Sequence, residues 1–442
     1  MALTTDDWQF LKTLYQRLDD RPLQPGDALY ERIYEHPGCD DPVAALERRI
    51  KFADTESVSL FSGFSGSGKT TELFRLRERL ENTGITVLYA DARDYINTAS
   101  PLPIADLLVV LAGAFSDALE AQGIAISAEG YWARLRNWLA NTEVGVKELG
   151  LKAGTEGGGA DLKLEFRSTP SFRQRLSSHL SGRIGELYDE VAHFFEDGVK
   201  AVRAERGDGT KVVFLFDSLE QLQGSLYNAQ EVTRSVILLF SAHLKLLEIP
   251  YVHVVYTVPP WLKFVYPGVN TIVLPCLRLW NNDPERSECG PGIAALRSLV
   301  TRRLTSAGLN RCFGADPFSR VNQLILLSGG HFGDLLLLLR EVVLRAEDLP
   351  VPDGVIERAI IRVRSNFLPI SLQDAKWLFD IDRELATLLQ TNDPDEVNRL
   401  TRFLNTHVVL YLKNGTEWYD VHPLVRDEVS EIVTRAAAAE TT

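Results

Sequence analysis

The stretch Gly63-Phe64-Ser65-Gly66-Ser67-Gly68-Lys69-Thr70 has the residue types and the spacing to hold a phosphate group. Glycines let consecutive backbone N–H groups turn inward with no Cβ in the way, and a helix start directly behind them adds its own orphan donors and dipole. Lys69 can then reach the β- and γ-phosphates of a nucleotide, and the Thr70 hydroxyl is an oxygen ligand for Mg²⁺. Gly63, Ser65, Gly66, Ser67, Gly68, Lys69, Thr70 and Thr71 are the binding candidates of this loop. A chance match would lack the right flanks. Here an apolar strand, 57–64, runs in and a helix, 70–81, runs out.

Such a cradle works with a carboxylate at the C-terminal end of a parallel strand. The run KVVFLF at 211–216 is apolar on both faces, as a central parallel strand is, and ends in Asp217. Asp217 is therefore the second candidate ligand for Mg²⁺, although aspartate is also an ordinary turn residue after strands. Hydrolysis needs a further group that orients the attacking water. Ser218 follows the carboxylate, Glu220 lies two residues on, and Asp91 ends the strand ITVLYAD at 85–91. Glu220 is preferred to Asp91, with helix-start capping as its plainer role. Lys69, Asp217 and Glu220 form the candidate catalytic set. Thr257 ends YVHVVYT and can sense a γ-phosphate from a neighbouring strand or simply close that strand before Pro259-Pro260. In SGGHFGD, 328–334, a sharp helix start puts Asp334 in the first turn; His331 could approach a nucleotide but reads first as a structural histidine.

The elements that must position these groups alternate. Strands at 57–64, 85–91, 211–216, 251–257 and 271–274 are separated by helical stretches, among them 104–121, 171–206 and 230–247, which predicts an α/β fold with a doubly wound parallel sheet. Residues 143–167 break the rhythm: two alternating runs around Gly157-Gly158-Gly159 predict an inserted hairpin. After about 281 the pattern is helical until 408–412 and 417–421, which flank Asn414-Gly415, the pair favoured in a tight type I′ turn. The expected domains are a helical segment at 1–41, a nucleotide domain at 42–280, a helical lid at 281–370 and a winged-helix-like module at 371–442.

The chain has 442 residues, 45% hydrophobic and 24% charged, enough for two or three domains and against wholesale disorder. An acidic N-terminal stretch without an apolar core predicts no export, and the apolar runs at 107–115 and 335–339 fall short of the ~20 residues of a membrane helix. Cys39, Cys276, Cys289 and Cys312 lack paired metal spacing and read as reduced thiols. The expected location is cytoplasmic. A net charge of −13 lowers the expectation of non-specific nucleic-acid binding.

With these residues in order, the chain resembles AAA+ and STAND-like ATPases. The glycine loop, the carboxylate of FLFDSLE, a threonine on the next strand, a helical region and a terminal helix-and-wing module occur in the sequence that the initiator type, similar to origin-recognition proteins, displays. GSGKTTEL followed by an SGGH helix start also resembles bacterial ATPases of mobile-element and antiphage loci. The resemblance implies a P-loop NTPase fold, ATP and Mg²⁺ as cofactors, Lys69 on the phosphates, Thr70 and Asp217 on the metal, and Thr257 as a sensor. Two departures bear on activity: Ser218 stands where such enzymes carry a catalytic glutamate, and Gly333 where many carry a sensor arginine, whose role could pass to Arg340. Arg302 and Arg303 are the candidates for an arginine finger.

The expected function is an ATP-binding, ATP-hydrolysing switch controlling self-association or a partner effector protein, in a setting that extends to antiphage defence. The alternative is a DNA-binding AAA+ ATPase that reads DNA with its winged helix. Charge separates them: residues 371–442 hold seven basic and thirteen acidic side chains, a net of −6, less basic than a DNA-reading wing. No membrane partner is expected.

Overall fold

The computed structural model describes residues 3–126, 130–141, 162, 166, 169–225, 227–266, 270–283, 285–384 and 393–440. The chain runs α1 (Thr5–Arg17), α2 (Pro42–Phe52), β1 (Ser57–Gly63), α3 (Lys69–Glu81), β2 (Thr86–Asp91), α4 (Ile104–Ala121), α5 (Gly130–Asn141), α6 (Pro170–Leu180), α7 (Ile184–Arg206), β3 (Val212–Asp217), α8 (Ala229–Phe240), β4 (Val252–Val258), α9 (Leu262–Val265) and β5 (Thr271–Leu274). It continues through α10 (Gly290–Leu304), α11 (Ser306–Phe313), α12 (Pro317–Leu327), α13 (Phe332–Leu344), α14 (Asp353–Arg364), α15 (Leu372–Glu384), α16 (Pro394–Asn405), β6 (Val409–Asn414), β7 (Thr416–Val421) and α17 (Pro423–Glu440). Two compact units result, one of Met1–Val43, Gly63–Arg75 and Val273–Thr442, the other of Ala44–Ser62 and Leu76–Ile272.

The second unit is built on a five-stranded α/β sheet of order β2-β3-β4-β1-β5. The β2–β3, β3–β4 and β4–β1 pairs run parallel. Every residue of β3 and β4 is buried, which is why Val212 to Phe216 of β3 is an unbroken apolar run rather than an alternating one. Register places Asp91 beside Asp217 at the ends of β2 and β3. Helix α4 is apolar all round because it packs between β2 and α7. The stretch expected as one helix over 171–206 is two, α6 and α7, separated at Ser181–Arg183, where Gly182 and Ser181 are poor helix formers. The helix expected over 230–247 ends at Phe240, and a short 3₁₀ turn covers Leu244–Leu247. Most of the stretch expected as a hairpin lies outside the described residues. Leu162 and Phe166 within it are helical and buried.

The first unit is helical apart from one hairpin. α1 packs on α13, and α13 on α14. α15 and α17 pack together, α15 also against β7. β6 and β7 pair antiparallel with Asn414 opposite Thr416 and Lys413 opposite Glu417. That register centres on Gly415, at φ 72°, one residue away from the pairing a two-residue Asn-Gly turn would give. Trp418 and Leu412, opposite each other across the hairpin, are both fully buried and anchor it.

Candidate functional site

β1 gives way along the chain to the glycine loop, which belongs to the first unit and leads into α3. Gly66 and Gly68 adopt φ 75° and 85°, the left-handed region that side chains resist. A Cβ on Gly68 would come within 2.7 Å of the Phe332 ring, and one on Gly66 within 3.4 Å of the His331 ring. Close approach and backbone sign thus both demand glycine. The loop closes on itself through Ser67 N–H to the Phe64 carbonyl at 3.2 Å. Lys69 is buried and its Nζ donates to the same carbonyl at 2.8 Å. Ser65 and Gly66 are exposed at the tip, and Thr70 is half-buried in the first turn of α3. The Thr71 hydroxyl accepts the Leu23 N–H at 3.1 Å, tying the loop's helix to the N-terminal segment.

Behind the loop lies a cluster that the sequence presents only as scattered residues. His331 caps α13 and its Nε2 donates to the Ser65 carbonyl at 2.9 Å. On Asp334 Oδ2 converge His331 Nδ1 at 2.8 Å, His407 Nδ1 at 3.0 Å and His422 Nε2 at 3.2 Å. The His331 and His407 rings stack with centroids 4.5 Å apart, and both rings stand edge-on to Phe64 of the loop. Burial works to raise the Asp334 pKa, yet the charge of His331 and hydrogen bonds from the imidazoles outweigh it and hold the carboxylate well below its usual range. Burial lowers the pKa of His422 and His407 against the pull of Asp334. His407 and His422 flank the β6–β7 hairpin, so one carboxylate joins the start of α13, the hairpin and the loop.

In the second unit, Asp217 ends β3 fully buried, accepting from the Tyr89 hydroxyl at 3.1 Å and from Ser218 N–H at 2.7 Å. Burial, then the charge of Asp217, drives the Tyr89 phenol pKa far upward, so Tyr89 stays a donor. Ser218 sits in the left-handed region at φ 71°, and Glu220 is buried in the short turn that follows. Thr257 is buried on β4 and its Oγ1 accepts Leu219 N–H at 3.2 Å, so its hydroxyl fixes the Asp217–Glu220 turn from the neighbouring strand. Asp91 is held by Arg93: burial would raise its pKa, but hydrogen bonds from Arg93, at 2.6 Å from Nη2 to Oδ2, lower it. Both Asp91 oxygens are thus engaged by Arg93.

The arginine candidates are engaged within the first unit. Arg303 is buried and donates to the carbonyls of Arg17 and Asp19, Arg302 pairs with Glu31, and Arg340 donates to the Tyr15 hydroxyl at 3.0 Å. All four cysteines are free thiols, three of them buried. Among the described residues no helix is long and apolar enough to cross a membrane.

No protein-family model matches the sequence. No curated protein matches it either. Solved structures to which the chain is similar include the Aeropyrum pernix ORC2 protein in ADPNP–ADP complexes, at 12% identity over 94% of this chain and 98% of that one, with a TM-score of 0.39. The Walker-type ATPase paby2304 of Pyrococcus abyssi aligns at 11% identity over 95% of this chain and 99% of its own, TM-score 0.38. CDC6P from Pyrobaculum aerophilum aligns at 12% identity over 96% and 98%, TM-score 0.36.

Proposed function

We propose that this protein is an ATP-binding, ATP-hydrolysing switch whose nucleotide state controls self-association or a partner protein. The observation that carries the reading is the loop itself: two glycines at positive φ, then Lys69 and Thr70 opening a helix. On binding, Lys69 exchanges the Phe64 carbonyl for phosphate oxygen, a charge-assisted bond for a neutral one. The Thr70 hydroxyl of the loop unit and, on the sheet unit, the Asp217 carboxylate are each hard oxygen donors of the kind Mg²⁺ takes. Glu220 orients the water. Thr257 reports strain in the Asp217–Glu220 turn to β4.

A switch needs a second element that feels the loop. Phe332 against Gly68 and His331 on the Ser65 carbonyl make the first turn of α13 that element. A protein partner is favoured over DNA because Arg399 and Arg402, the cations of α16, turn to Asp374 at 3.4 and 2.6 Å. Bacterial antiphage defence is the finer form of this reading, supported by the GSGKTTEL and SGGH segments.

The test is ATP·Mg²⁺ binding and turnover on purified protein, with molecular mass by light scattering. Lys69→Ala should weaken binding roughly 10–100-fold, the loss of a charge-assisted contact. Asp217→Ala should lose the Mg²⁺ dependence. Glu220→Gln should keep binding and abolish turnover. Unchanged affinity in Lys69→Ala would overturn the reading; turnover without any nucleotide-dependent change in mass or partner binding would leave an ATPase but not a switch.

A further inference from the structure

The proton count around Asp334 does not close with neutral histidines. His422 Nδ1 accepts Leu424 N–H at 3.2 Å, so its proton is on Nε2 and goes to Asp334. His331 Nε2 faces the Ser65 carbonyl, which only accepts, so that nitrogen carries the ring's proton. His331 Nδ1 is then left with a lone pair, towards which the Asp334 N–H is directed at 3.3 Å, yet it lies 2.8 Å from a carboxylate oxygen. His407 Nδ1 stands 3.0 Å from the same oxygen. A lone pair and a carboxylate oxygen as close as those of His331 and Asp334, in a buried site, call for a cation between them, a proton or a metal ion.

We propose that His331 Nδ1, Asp334 Oδ2 and His407 Nδ1 form a binding site for a divalent first-row transition-metal ion of the zinc type. The three atoms lie within 4.8 Å of one another. Donors ~2.05 Å from a shared ion are ~3.3 Å apart at the tetrahedral angle zinc prefers and ~2.9 Å apart at right angles, and the observed separations from Asp334 Oδ2, 2.8 and 3.0 Å, need only open by a few tenths of an ångström to hold a tetrahedral ion. Two imidazoles and one carboxylate suit Zn²⁺, Co²⁺ or Fe²⁺, and not Mg²⁺, which takes oxygen donors. The outer contacts are those of a metal centre: a ligating histidine donates its other N–H to a carbonyl, here Ser65, and a ligating carboxylate accepts a further donor, here His422. Three donors leave at least one coordination position for water. The ion fastens the start of α13 to the residue before the hairpin, and through Ser65 it reaches the glycine loop. This inference does not depend on the nucleotide reading.

The full-length protein, stripped with a chelator and free of nucleotide, should take up about one equivalent of Co²⁺, with visible d–d absorption from imidazole ligation, and release it to Zn²⁺. His331→Ala and His407→Ala should each abolish the absorption, Lys69→Ala should leave it unchanged, and His422→Gln should weaken uptake roughly 10–100-fold, as loss of an outer-shell partner does. Far-UV circular dichroism on each variant separates lost ligation from lost fold, and the wild-type titration stands without any variant. Two results overturn the proposal. One is wild-type protein that takes up no stoichiometric Co²⁺ or Zn²⁺, with His331 carrying both ring protons by NMR. The other is uptake that survives in the folded double variant His331→Ala/His407→Ala.

Discussion

Two buried polar clusters in the first unit solve the same problem in opposite ways. Arg75 is 0% exposed, bonded to Glu72 at 2.7 Å, Glu35 at 2.8 Å and Asp41 through both terminal nitrogens. Tyr30 donates to Glu72 at 3.1 Å and completes the set. Burial disfavours the Arg75 charge, but Asp41 and Glu72 more than compensate, and its pKa is raised. The cation there is covalently part of the chain and present at every pH. Around Asp334 the anion is built in, but its three partners are imidazoles, which need carry no charge. One cluster is complete as synthesised; the other takes its positive charge from solution, as a proton or as the proposed ion. Asp106 is a third case, a buried carboxylate whose Oδ1 has no hydrogen-bond partner among the described residues. Burial, only partly offset by the charge of Arg173, pushes its pKa up to about 7.

The largest effect should come from removing the built-in cation. Arg75→Ala strands carboxylates in a buried site and should cost about 3–5 kcal/mol, read from the urea midpoint at pH 7; a loss below about 1 kcal/mol would mean water already screens the cluster. Asp106→Asn should act the other way. The folded-state pKa of Asp106 lies above its unfolded value, so its ionisation penalises folding increasingly from pH 4 to above pH 7. The variant should gain on the order of 2 kcal/mol at pH 8 and nothing below pH 4, measured as thermal midpoints across pH. Next, Gly68→Ala forces a side chain into the left-handed region and onto Phe332, and should cost roughly 1–2 kcal/mol while weakening ATP binding. Equal affinity in this variant would separate the loop's shape from its chemistry. Smallest is His422→Gln in metal-free protein, which keeps an N–H donor near Asp334 and should shift stability by less than about 1 kcal/mol.

What could be read from the sequence follows from how local each signal is. The loop was legible because all its determinants lie in consecutive residues, and β3 because a strand buried on both faces announces itself in composition. The bond from Leu23 to Thr71 is not legible, because Leu23 belongs to a distant segment that no spacing rule connects to it. The hairpin was found but its register shifted, since Gly415 alone centres the pairing. His331 read as a structural histidine because His407 and His422 reach it only through the fold. The available signal was position: His331 caps a helix and His422 directly follows a strand, and side chains at element ends are the ones tertiary structure can gather.

The order in which the chain is made has a consequence for its nucleotide loop. The residues of the sheet unit end at Ile272, so that unit has all its parts before the residues that follow are made. The loop's own unit draws on segments before, within and after the sheet unit's residues, and the contact between Ser65 and His331 spans 266 residues. Such a loop closes late. A nascent chain that stops before residue 407 has the whole glycine motif but neither His407 nor His422 behind it, so a ribosome-bound intermediate carries the glycine loop before it carries the groups packed behind it.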